Sequence, residues 1–145
     1  MTKSEFKTFL KAVPKAELHI HIEAVITMAG VKKLYKNRFG KEMSKEEQDQ
    51  LFAYNDLNGF IQSFLKIQDM YTSEKDFNLV FKELEKYLVK NGINYCEAFF
   101  APSAFIKKGF SYKKMVDIFR EERKEGRKER GKGGIRERER ASSYR

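Results

Sequence analysis

The sequence predicts an α/β fold with parallel strands, and three observations carry that prediction. AELHIHIE, residues 16–23, alternates apolar and polar side chains with the period of two that marks a strand. INYCEAFF, residues 93–100, is a second strand, rich in aromatics and bounded by Gly92 and Pro102. Between them lie only segments with helical apolar spacing. Strands separated by helices pair in parallel, because parallel pairing needs a crossover connection. Two strands alone leave open edges and little core, so the chain reads as the start of something larger.

The elements follow in order. Phe6, Phe9, Leu10 and Val13 share one helical face, and Pro14 stops that helix. In the first strand Leu18, Ile20 and Ile22 alternate with Glu17, His19, His21 and Glu23, and the apolar set is expected to face covering helices. Thr27 caps a helix carrying Met28, Val31, Leu34 and Tyr35, which ends near Gly40. Ser44 followed by Glu47 is a capping box for a short helix to Leu51. Asn55 or Asp56 opens a helix with Leu57, Phe60, Ile61, Phe64, Leu65 and Gln68 at helical spacing. Ser73 with Asp76 opens the next, striped by Phe77, Val80, Phe81, Leu84 and Leu88 and ended by Asn91-Gly92. Ser111 starts a last helix with Met115, Ile118 and Phe119.

The 145 residues are 41% apolar and 14% aromatic, enough to build one domain's core and to exclude wholesale disorder. The single cysteine, Cys96, excludes an internal disulfide and any multi-cysteine zinc module. No apolar run approaches a membrane span, and no apolar stretch follows the basic N-terminus, so a reducing, cytoplasmic setting without membrane is expected. The net charge of +9 hides a break. Residues 1–119 contain 18 lysines and one arginine; residues 120–145 contain eight arginines, three lysines, six glutamates and four glycines. Only Ile135, Ala141 and Tyr144 are apolar there, so 120–145 is expected to be a disordered charged tail, or a solvated helix at its start. Three readings of it compete: a purine-rich gene translated out of frame, an inert extension, or a basic arm for nucleic acid. The abrupt switch from lysine to arginine and glycine favours the first. The interleaved glutamates repel phosphate and count against the last.

The chemistry-bearing residues are His19, His21 and Glu23. Both histidines of the chain sit two residues apart on one strand face, with Cα atoms about 7 Å apart. Two imidazoles side by side suit two ligands of one metal ion. In isolation an HxH pair is more often two surface or packing histidines. Two features raise the metal reading: the pair lies at the C-terminal end of a strand, where α/β folds place their sites, and a carboxylate follows it. His21-Ile22-Glu23 also spells the HxE of cytidine deaminases, but that class needs a PCxxC that one cysteine cannot supply.

VPKAELHIHIE resembles the opening of the adenosine/adenine deaminase family, a proline-lysine followed by E-L-H-x-H-L-E/D-G. Residues 54–105 are similar to that family's L-x-x-F-L helix, T-x-x-D-F helix start and Y-x-E strand closing in a proline. Residues 109–119 resemble its G-x-S-x-x-x-x-V segment. The resemblance covers about residues 12–119. It implies the N-terminal part of a (β/α)8 TIM barrel, incomplete at about two strands plus helices. It implies one zinc ion, His19 and His21 as metal ligands, and hydrolytic deamination of adenosine or adenine to inosine or hypoxanthine plus ammonia. His21 and Glu23 would be on the substrate side of the pocket, and Glu97 would support the barrel interior.

The departures are as informative. The family's Gly and small hydroxyl residue after the acidic position are Ala24 and Val25 here. Phe99 stands where many adenosine deaminases carry arginine. The family's third histidine ligand, metal-binding aspartate, catalytic glutamate in H-A-x-E and general-base histidine come from later strands, and no histidine follows His21. The chain is therefore expected to be an inactive fragment, binding zinc weakly and prone to self-association through exposed strand edges. The alternatives are a small interaction or nucleic-acid-binding protein, or a different metal-dependent amidohydrolase.

Overall fold

The computed structural model describes residues 1–130 and 140–141. The elements are α1 (Lys3–Ala12), β1 (Lys15–His21), a 3-10 turn (Ile22–Ala24), α2 (Met28–Phe39), α3 (Lys45–Leu51), α4 (Leu57–Asp69), α5 (Asp76–Asn91), β2 (Ile93–Phe100), α6 (Ser103–Lys107), α7 (Tyr112–Arg130) and β3 (Arg140–Ala141). The order in the sheet is β1-β2-β3, and both pairings are parallel. This is the α/β architecture of an incomplete barrel.

The helix ends follow the capping chemistry of the sequence. Thr27 accepts the Gly30 N–H, Ser44 and Glu47 form a reciprocal capping box, and Asp56, not Asn55, caps α4. At α5 the expected Ser73–Asp76 box forms only by half: Asp76 accepts from the N–H groups of Thr72 and Ser73, but the helix starts at Asp76 after Lys75 with no side-chain cap. Gly92 closes α5 at φ 65, a left-handed conformation that glycine adopts without a Cβ penalty. The short α6 carries no periodic signal in the sequence. Its Phe105 is nonetheless fully buried.

The core lies between the sheet and α2, α5 and α7. Phe77, Val80, Phe81, Leu84 and Leu88 of α5 are buried as their spacing predicts. Phe77 is the hub, with its ring centroid 4.9–5.4 Å from those of Tyr71, Phe100, Phe105 and Phe119. From the sheet, Ile20, Cys96, Ala98 and Phe100 face this layer.

Three expectations change. Leu18 is 60% exposed instead of covered, because β1 is irregular between Glu17 and Ile20 and the alternation slips there. The α1 face of Phe6, Phe9 and Leu10 is exposed. So is most of the α4 stripe: Leu57, Phe60, Ile61 and Leu65 face outward, while Ser63, Ile67 and Gln68 are buried. Both stripes are amphipathic in the expected sense but are only partly covered: on α4, Phe60 meets Tyr54 edge-on at 5.5 Å while Leu57 stays 72% exposed.

Past residue 119, where the composition changes, α7 continues unbroken to Arg130. Glu122 is buried on it, 4.0 Å from the Lys82 ammonium. The remainder of the expected disordered tail, residues 131–139 and 142–145, lies outside the described residues.

Candidate metal centre

The site is the open face of the sheet at the C-terminal end of β1. His19 and His21 project to one side of the strand, and their Nε2 atoms converge to 3.2 Å. Phe99, opposite His21 in the β1–β2 register, stacks on the His19 ring at 4.4 Å between centroids. Phe64 of α4 meets the His21 ring edge-on at 6.4 Å. The aromatic contacts limit how far either imidazole can turn. Tyr95 and Glu97 share the open face with Phe99 by strand alternation, and the Tyr95 hydroxyl donates to Glu97 Oε1 at 2.7 Å. Glu97 is thus tied to its own strand on the open face.

Glu23 is placed differently from the sequence expectation. β1 ends at His21, and the 3-10 turn, closed by the Val25 N–H on the Ile22 carbonyl, turns Glu23 off the strand face. Its side chain is 0% exposed. Oε1 accepts the Ala101 N–H at 3.2 Å, and the Tyr71 hydroxyl donates to the Glu23 carbonyl at 3.2 Å. Those partners lie 78 and 48 residues away in sequence, so no local pattern could have shown them. Val25 packs against the core, and the side chain of Ala24 lies outside the described residues.

The electrostatics follow from burial. Loss of solvent pushes the Glu23 carboxyl above the usual carboxylate range, and the N–H groups of Glu23 and Ala101 offset only part of that. Burial, then the neighbouring His19, pushes His21 below its ordinary value, which favours the neutral imidazole that binds metals. Tyr71 is raised well above its ordinary value by burial, then by Glu23 and Asp76.

The donor set fits two positions of a metal site. Two nitrogens bound to one tetrahedral zinc at about 2.0–2.1 Å stand about 3.3 Å apart. The observed 3.2 Å is close to that separation, so one ion can meet both nitrogens once the proton between them has moved. Among the described residues no group of three His, Cys, Asp or Glu side chains is assembled to hold an ion. No helix among the described residues is long and apolar enough to cross a membrane.

Comparison with known proteins places the chain in a family. The chain is 31% identical over 128 residues to an adenine deaminase of Crocosphaera subtropica, covering 86% of this chain and 39% of that protein. It is 28% identical over 116 residues to an uncharacterized deaminase of Schizosaccharomyces pombe, covering 78% of this chain and 34% of the relative. Among solved structures, an adenine deaminase from Arthrobacter aurescens superposes with a TM-score of 0.71 at 22% identity, over 87% of this chain and 38% of that one. An amidohydrolase from Burkhoderia ambifaria with bound Zn superposes with a TM-score of 0.77 at 18% identity, over 95% and 37%. The chain thus spans a little over a third of the length of these relatives, and its fold is the N-terminal portion of theirs. The family profile described as adenosine deaminase matches residues 14–139, most of the chain and the whole of the site, so the chain belongs to the adenosine deaminase family.

Proposed function

We propose that this chain provides the first metal-ligand pair of a zinc-dependent purine aminohydrolase, acting on adenosine or adenine and releasing ammonia. The observation that carries the reading is the convergence of His19 and His21 Nε2 to tetrahedral-ligand spacing at the end of β1, in a chain of this family. When bound, zinc supplies Lewis acidity toward water and the substrate. His19 and His21 hold it, and the Phe99 stack orients His19. Proton transfer to the purine needs an acid and a base, which the family draws from later strands. The chain holds two histidines in all and no third ligand among its described residues, so by itself it is expected to bind zinc weakly and to turn over no substrate.

Two experiments test this. Zinc titration of the purified chain should show binding that is lost in His19→Ala/His21→Ala; equal binding by both overturns the ligand assignment. Residues 14–119 should also replace the matching segment of the Crocosphaera subtropica adenine deaminase. Adenine turnover by that chimera, abolished by His19→Ala, supports the reading. A folded, zinc-loaded chimera without turnover on adenine or adenosine overturns it.

A further inference from the structure

His21 Nδ1 and Glu23 Oε2 are both buried and both lack a hydrogen-bond partner. They belong to adjacent groups: His21 Nδ1 lies 4.0 Å from Glu23 Oε1. A buried polar atom without a partner is costly, and the carboxylate beside the unpartnered His21 Nδ1 is that of Glu23, which carries an unpartnered oxygen of its own. The carboxylate has the capacity, since it accepts at about four lone-pair sites and the Ala101 N–H occupies one. The distance of 4.0 Å is about 1 Å beyond a hydrogen bond.

The histidine pair adds a second constraint. At 3.2 Å, two Nε2 atoms cannot both carry a proton, nor both present a lone pair, without repulsion. With neutral imidazoles and no metal, one Nε2 donates and the other accepts. We propose that Glu23 is a positioning residue that acts through His21: its carboxylate accepts the His21 Nδ1 proton and so keeps the His21 Nε2 lone pair turned toward His19 and the ion. In the metal-free chain His19 is then the Nε2–H donor and His21 the acceptor. His21 stands ready to bind, and only His19 must move its proton to Nδ1. This gives the buried Glu23 a role through the histidine beside it. The statement about metal rests on the zinc reading above; the statement about tautomers stands without it.

The test is a long-range proton–nitrogen NMR spectrum of the imidazoles in the 15N-labelled 145-residue chain, at pH 8 with chelator. The expected result is His21 protonated on Nδ1 and His19 on Nε2. Glu23→Ala should convert His21 to a mixture of tautomers, whereas Glu23→Gln, whose amide oxygen still accepts, should retain the Nδ1 proton. In zinc titrations Glu23→Ala should weaken binding by roughly tenfold to a hundredfold, and Glu23→Gln by much less. A wild-type His21 protonated on Nε2, or a tautomer unchanged in a folded Glu23→Ala chain, overturns the proposal. If Glu23→Ala does not fold, the wild-type spectrum alone still decides. Failure of the deaminase reading would appear only in the chimera's turnover and would leave these spectra unchanged.

Discussion

The two faces of the sheet are built from the same two strands and do opposite work. One face, Ile20, Cys96, Ala98 and Phe100, is packed under α5 and α7 and closes on the Phe77 aromatic hub. The other carries His19, His21, Tyr95, Glu97 and Phe99, with His19 exposed and the rest half-buried. The covered face holds stability and can change little in volume. The open face holds polar groups whose positions are fixed by a stack, a tyrosine hydroxyl and a neighbouring strand, at small energetic cost. Stability and chemistry should therefore separate by mutation.

The largest effect lies on the covered face. Phe77→Ala removes a fully buried ring from four aromatic neighbours and should cost about 3–5 kcal/mol, enough to abolish a cooperative denaturant transition. Phe99→Ala, on the open face, should cost no more than about 1.5 kcal/mol and should broaden the His19 imidazole resonances, since only the stack is lost. A Phe99 variant as unstable as the Phe77 variant would erase the distinction between the faces.

Next in size is a charged group beneath the covered layer. Glu83 is buried beside α2. Burial alone would raise its carboxyl, but the Thr27 hydroxyl and the Lys86 ammonium, which both donate to it, hold it below its ordinary value of 4.5. A carboxyl depressed in the folded state adds stability above that ordinary value and loses it as the pH falls through the folded one. Thr27→Val should therefore cost about 1 kcal/mol at pH 7, through both the helix cap and the donor to Glu83. The cost should shrink below pH 4.5, as urea melts at several pH values would show. A deficit independent of pH would assign the whole effect to the cap.

Gly92→Ala should cost about 1 kcal/mol, because φ 65 disfavours a Cβ and the new methyl would stand 3.2 Å from the Lys15 ammonium. The smallest effect is expected on α4. Leu57, 72% exposed, can become Ser within about 0.5 kcal/mol of the original stability. The same change should reduce self-association in sedimentation, because it interrupts an exposed apolar stripe. A Leu57→Ser chain that loses a full kcal/mol would show that the stripe is covered.

These contrasts explain what the sequence made legible. The pairing of His19 with His21 was readable because strand geometry alone puts i and i+2 on one side. The caps at Thr27, Ser44 and Asp56 were readable because a cap is a local hydrogen bond. Burial depended on neighbours. Leu57 and Val80 sit in equally regular stripes, yet Val80 is fully buried and Leu57 is 72% exposed. Glu23 escaped because its orientation is set by Tyr71 and Ala101, which reach it only after the chain has folded. Phe105 escaped because a five-residue helix is too short to show a period.

The parallel pairing of Lys15 with Ile93 has a consequence in time. The strand bearing the histidines is synthesised first but finds its partner only after four helices have been made. Those helices can form locally, whereas β1 waits on a long loop closure that slows every non-local sheet. The imidazole pair and its Phe99 support should therefore be the last ordered part of the chain to assemble. Refolding followed by a probe at Phe99 should lag refolding followed by helix content.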